Sequence, residues 1–242
     1  MNPQGTATTP ETSIKAVVFD LDGLMLNTED VFDLAGQELL SRRGKTMTSA
    51  IRHRMIGRRP LEAFQALTKL TGITEPVEDL MEETRQIFSG FAEKHLDCMP
   101  GLLDLLDLID SRQLPKAVAT SSPRQYMEKL LSQFALLERF QMTLTAEDVI
   151  HGKPHPEIYI RAAERLNVAA SSMMVLEDSE AGTRAAAAAG AFVVAVPNQH
   201  TACGDFSMAS MQVDSLGHPD LHSMIADEKS VDDSSSRETI DS

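Results

Sequence analysis

From Leu102 to Val196, helical repeats and short apolar runs take turns along the chain, and that alternation restricts the fold more than any single motif. Leu102 to Ser111 reads as a leucine-rich helix and Lys116 to Thr120 as a strand. Arg124 to Phe134 is helical, Phe140 to Leu144 a short strand, and Glu157 to Leu166 a helix with Ile158, Ala162 and Leu166 on one side. Met173 to Leu176 is again a strand. Glu180 to Ala189 follows as an alanine-rich helix stopped by Gly190, and Phe192 to Val196 is a strand ended by Pro197. Strands separated by helices pair in parallel, with the crossovers on both faces of the sheet. Upstream, Ala16-Val17-Val18-Phe19 adds one more short buried strand. The expected fold class is α/β.

One long stretch breaks the alternation. Leu24 to about Asp97 is almost entirely helical, with Leu34, Leu39 and Leu40, then Leu61, Phe64 and Leu67, then Leu80, Met81, Ile87 and Phe91 at helical spacing. Gly44, Gly57, Gly72 and the Glu75-Pro76 step punctuate it. The expected organisation is an α/β core over residues 14–25 and 98–225, a small helical unit over 26–97 inserted after the first strand, and disordered ends at 1–13 and 226–242.

The formal charge of −14 argues against nucleic acid as a bulk partner but leaves room for a small anionic substrate held by local cations. No apolar stretch nears the roughly 18 residues needed to span a bilayer, and no membrane partner is expected. The polar start lacks the basic and apolar blocks of a signal peptide, so a cytoplasmic location is expected. Cys98 and Cys203 match no metal or redox spacing and read as reduced thiols. No obligate protein partner is evident.

The strands end on chemistry. The first runs into Asp20-Leu21-Asp22-Gly23, and ligands of open parallel sheets bind beyond the carboxyl ends of the strands. Lys116 to Thr120 ends on the hydroxyls of Thr120 and Ser121, and Met173 to Leu176 on the carboxylates of Glu177 and Asp178. The loop His151-Gly152-Lys153-Pro154-His155-Pro156 presents Lys153. Carboxylates suit a hard divalent cation, while a lysine and hydroxyls suit phosphoryl oxygens. Singly, each has a bland reading: a helix cap at Thr120-Ser121-Ser122-Pro123 or at Glu177-Asp178, a solvated lysine at 153, surface histidines at 151 and 155. A calcium loop fits poorly, because an apolar strand and not a helix precedes Asp20. It is their order, each at a strand end or turn, that carries the signal.

Asp20-Leu21-Asp22-Gly23, Thr120-Ser121-Ser122, Gly152-Lys153-Pro154 with Pro156, and Leu176-Glu177-Asp178-Ser179 together resemble the four motifs of the haloacid dehalogenase-like hydrolases. The strings from Asp22 to Glu29 and from Glu177 to Gly182 resemble the subgroup containing β-phosphoglucomutase, phosphoglycolate phosphatase and sugar-phosphate phosphatases. The resemblance implies a Rossmann-like core with a mobile helical cap over the site. It implies Asp20 as nucleophile, forming an aspartyl phosphate, and Asp22 as acid and then base. Mg²⁺ would be held by the Asp20 carboxylate, the Asp22 carbonyl and Asp178, with Glu177 a direct or indirect partner. Thr120, Ser121 and Lys153 would grip the phosphoryl oxygens.

Departures from the family narrow the expectation. Asp22 speaks against dehalogenation, because displacing halide needs no proton donor. Phe32 stands where β-phosphoglucomutase has a cap-hinge histidine, which favours hydrolysis over isomerisation. Asn27 replaces the usual aspartate before Thr28. The place of the mutase's cap arginine falls on Pro60, with Arg58 and Arg59 adjacent as candidate substrate contacts. Between Leu39 and Leu61 there is no acidic residue but Arg42, Arg43, Lys45, Arg52, Arg54, Arg58 and Arg59, read for the most part as a solvated helix face. The expected activity is a Mg²⁺-dependent phosphatase of small phosphorylated metabolites. A sugar phosphomutase and a non-catalytic metabolite binder are the alternatives.

Overall fold

A computed structural model describes residues 13–55 and 60–226. Six parallel strands form one sheet: β1 (Ala16–Phe19), β2 (Lys116–Ala119), β3 (Met142–Leu144), β4 (Met173–Glu177), β5 (Phe192–Ala195) and β6 (Met211–Gln212). Their order is β3-β2-β1-β4-β5-β6, so β1 is central and pairs with β2 on one side and β4 on the other. The chain leaves β1 in one direction and later returns to its opposite side, opening a crevice at the carboxyl ends of β1 and β4.

Between the strands run α5 (Leu102–Ser111), α6 (Arg124–Gln133), α7 (Glu157–Leu166) and α8 (Glu180–Ala188), with α9 (Pro219–Ala226) last; α1 to α4 precede them in the inserted unit. Strand side chains alternate between the two faces. Val18, Ala117, Ala119, Met173, Val175 and Val193 pack with Ile158, Tyr159 and Ala162 of α7 and Ala185 and Ala186 of α8. Their alternates Val17, Phe19, Val118 and Leu176 are equally buried, and Phe19 meets Phe140 edge-on at 5.8 Å. Burial on both faces explains why these strands read as unbroken apolar runs.

Met25–Met99 forms a compact unit apart from the sheet-bearing one. It holds α1 (Thr28–Ser41), α2 (Ser49–Met55), α3 (Pro60–Thr71) and α4 (Val77–His95). Helices α1 and α4 share the main contact of this unit, where Phe32 stacks on Phe88 at 4.1 Å. The basic segment is not simply solvated. Arg42 pairs with Glu38 and Glu83, Arg43 with Glu75 and Glu83, and Arg52 with Asp33, so the acidic partners come from outside the segment.

Two features of the core carry no period that a sequence reading detects. Strand β6 has only two residues, and α9 lies beyond the last strong apolar run. Each is identified by its partner, β5 and α5 respectively.

Candidate active site

Asp20 leaves β1 still paired to the sheet, its N–H donating to the carbonyl of Leu176 at 3.0 Å. The residue is 7% exposed. The chain then turns at Gly23 with φ +77°, and a Cβ there would lie 2.5 Å from Oδ2 of Asp178. Only glycine fits both the angle and the space.

Lys153 reaches into the same place from the loop between β3 and α7. Its Nζ donates to Asp20 Oδ1 at 2.5 Å, to Glu177 Oε1 at 2.6 Å and to the carbonyl of Ala119 at 3.0 Å. It also sits 5.1 Å from the ring centroid of Tyr159. Glu177 is fully buried and fully engaged. Its Oε1 accepts from both Lys153 and the Tyr159 hydroxyl, and its Oε2 from Ser179 Oγ at 3.1 Å. Ser179 in turn caps α8 by accepting from the Gly182 N–H at 3.1 Å. A Cβ on Gly182 would stand 1.9 Å from the Glu177 carboxylate, so the helix start can lie against that carboxylate only with glycine there.

Asp20, Glu177 and Asp178 each offer an oxygen, and these atoms lie within 4.8 Å of one another. One ammonium among three buried carboxylates leaves the cluster negative. Burial pushes the Asp20 carboxyl up to about 8, and the charges of Glu177 and Asp22 push the same way against the pull of Lys153. Burial works to lower the Lys153 ammonium, but the attraction of Asp20 and Glu177 holds it well above its usual value. Tyr159 is likewise raised, by burial and then by the charge of Glu177, and stays a donor. Three buried carboxylates of net negative charge, each offering an oxygen, are compatible with a hard divalent cation.

The Asp22 carboxylate is directed elsewhere. Its Oδ2 accepts from Ser122 Oγ at 2.6 Å and lies 3.4 Å from Thr120 Oγ1, and its Oδ1 accepts from the Tyr126 hydroxyl at 3.0 Å. Thr120 is buried and its Oγ1 accepts from the Ser122 N–H, while Ser121 is exposed. Thr120, Ser121 and Lys153 line one cavity of about 150 Å³ together with the apolar Ala146, Val149 and Ile158.

The structure thus brings Asp20, Lys153, Glu177 and Asp178 into one cluster and sets Asp22 against the Thr120-Ser121-Ser122 turn. Arg58 and Arg59 lie outside the described residues. Four contacts were not expected from the sequence: Ser122 and Tyr126 on Asp22, Tyr159 on Glu177, and Asn198 on Asp178. Asn198 had a signal, since it follows the Pro197 that ends a strand. The chain has two tyrosines, and both donate to carboxylates of this site.

A family model described as haloacid dehalogenase-like hydrolase matches residues 17–196, and the chain belongs to that family. Among its relatives is the phosphorylated carbohydrates phosphatase of Thermotoga maritima, 31% identical over 181 residues, which cover 73% of this chain and 82% of the relative. The validoxylamine A 7'-phosphate phosphatase of Streptomyces hygroscopicus subsp. limoneus is 33% identical over 189 residues, 78% of this chain and 88% of that protein. Among solved structures, CbbY from Rhodobacter sphaeroides in complex with phosphate aligns with a TM-score of 0.69 at 26% identity, covering 84% of this chain and 95% of that one.

Proposed function

We propose that this chain is a Mg²⁺-dependent phosphatase of small phosphorylated metabolites, sugar phosphates foremost, acting in the cytoplasm. The observation that carries the reading is the buried Lys153 bridging Asp20 and Glu177. A nucleophilic carboxylate held against a phosphate-binding cation is what phosphoryl transfer requires. The relatives named as phosphatases of phosphorylated carbohydrates and of validoxylamine A 7'-phosphate support a small phosphorylated metabolite as substrate.

In this reading Asp20 attacks phosphorus, the Asp20–phosphorus bond forms, and the bond to the substrate oxygen breaks. Asp22 gives that oxygen its proton. Asp22 then takes a proton from water, which attacks the same phosphorus and frees phosphate, restoring both aspartates. Lys153 and the Thr120 and Ser121 donors hold the phosphoryl oxygens. Asp20, Asp178 and the Asp22 carbonyl would hold Mg²⁺, which would supply positive charge to offset the anionic site and substrate. Glu177, with both oxygens engaged, acts mainly by fixing Lys153.

The unit Met25–Met99 is the cap of this reading, and Arg58 and Arg59 select a polar or second anionic group of the substrate. Phe32, stacked on Phe88, offers no proton-transferring group, which favours hydrolysis over a mutase. No nucleic acid, membrane or obligate protein partner enters the reading.

Phosphate release from a panel of sugar phosphates, nucleotides and phosphoglycolate, with and without Mg²⁺, tests it against Asp20→Asn. Mg²⁺-dependent release by the wild type alone is expected. No turnover above the variant would point to a binder, and an isomeric sugar phosphate as product would point to a mutase.

A further inference from the structure

Asn198 follows β5 and has every polar atom of its amide engaged. Oδ1 accepts from the N–H groups of His200 at 2.8 Å and Thr201 at 3.2 Å. Nδ2 donates to the carbonyl of Gly23 at 3.0 Å and to Asp178 Oδ2 at 2.9 Å. Two donors face the oxygen, and a carbonyl and a carboxylate face the nitrogen, so only one orientation of the amide satisfies all four. The Asn198 N–H also donates to Thr201 Oγ1 at 3.0 Å, which closes the turn on itself.

The contact joins three segments of the sheet edge. Asn198 comes from the loop after β5, Asp178 from the residue after β4 and Gly23 from the loop after β1, which also carries Asp20 and Asp22. The fit is close, since a Cβ on Gly23 would lie 2.8 Å from Asn198 Nδ2. A carboxylate is free to rotate about its last torsion unless a donor fixes it. Asn198 fixes one oxygen of Asp178 and, through the Gly23 carbonyl, ties down the loop of the first motif.

We propose that Asn198 is a positioning residue for the divalent cation, holding Asp178 and the first-motif loop in the geometry that binds it. The inference rests on the metal site of the proposed function. Its competitor is a purely local role, in which Asn198 only caps its own turn. Asn198→Ser separates the two, because a serine oxygen still accepts from the His200 N–H but the amide donor is gone. Thr201→Val is the converse change, weakening the turn while leaving the amide in place.

The test is calorimetric titration of the full chain with Mg²⁺ in the absence of substrate, beside thermal unfolding in EDTA. Asp178→Asn is expected to lose binding. Asn198→Ser and Asn198→Ala are expected to bind about ten- to a hundredfold more weakly, with the midpoint of Asn198→Ser in EDTA near that of the wild type. Their phosphate release is expected to recover in excess Mg²⁺. Thr201→Val is expected to keep the wild-type affinity. Wild-type affinity in both Asn198 variants, with Asp178→Asn deficient, overturns this inference alone. Equal weakening in Thr201→Val also overturns it, by assigning the effect to the turn. Absence of saturable Mg²⁺ binding by the wild type overturns the metal reading and this inference with it.

Discussion

The side chain of Lys153 is 6% exposed and lies between Asp20 and Glu177, so removing it strands two buried carboxylates. Lys153→Met is therefore expected to lower unfolding free energy by about 3–5 kcal/mol, read by denaturant titration; stability equal to the wild type would contradict the charge argument. Gly182→Ala drives a methyl into the Glu177 carboxylate, which Lys153, Tyr159 and Ser179 prevent from moving aside. A loss of about 1–3 kcal/mol is expected from such overpacking, together with slower phosphate release at saturating substrate. Tyr126→Phe deletes one of the hydroxyls on Asp22 without changing shape, and should lower kcat more than it changes KM. Residues at strand ends were legible in the sequence because a parallel sheet brings its carboxyl ends together whatever the details of packing. Tyr126 and Tyr159 were not, because a helix period says which face is buried and nothing of which polar atom a buried hydroxyl meets.

At the scale of elements, the inserted helical unit is tied at its own base by Asn27. Its Oδ1 accepts from the Asp97 N–H at 2.7 Å, its Nδ2 donates to the His95 carbonyl at 3.1 Å, and its backbone N–H donates to the Asp97 carbonyl at 3.1 Å. An aspartate could accept from Asp97 but could not donate to His95, which gives the departure from the family at this position a physical reason. Asn27→Asp is expected to cost about 1 kcal/mol, seen as a lower thermal midpoint; an unchanged midpoint would show the His95 contact to be idle. The helical nature of this unit was legible from periodicity. The pairing of its arginines was not, because Glu75 and Glu83 lie more than thirty residues along the chain from Arg43. Strand β6 escaped for a related reason, since two residues have no alternation to detect and only β5 defines them.

At the scale of the whole molecule, a chain of net charge −14 places three buried carboxylates at one sheet edge and offsets them with one lysine. The deficit appears in Asp20, whose carboxyl burial raises from 3.8 to about 8. Such a group stabilises the fold fully below the lower value, and that contribution is lost as pH rises through the upper one. The metal-free protein is thus expected to lose stability toward alkaline pH, and Mg²⁺ to restore it by taking the place of the lost proton. Thermal midpoints with EDTA and with Mg²⁺ at about pH 6 and about pH 9 check this, the Mg²⁺-induced rise being larger at the higher pH. Whether Asp20 carries the phosphoryl group is read most directly by acid quenching during turnover followed by peptide mass spectrometry. A hydroxylamine-labile phosphoryl group is expected on the peptide containing Asp20, absent from Asp20→Asn. Phosphate release by Asp20→Asn at the wild-type rate, or a phosphoryl group on a different residue, would contradict that expectation.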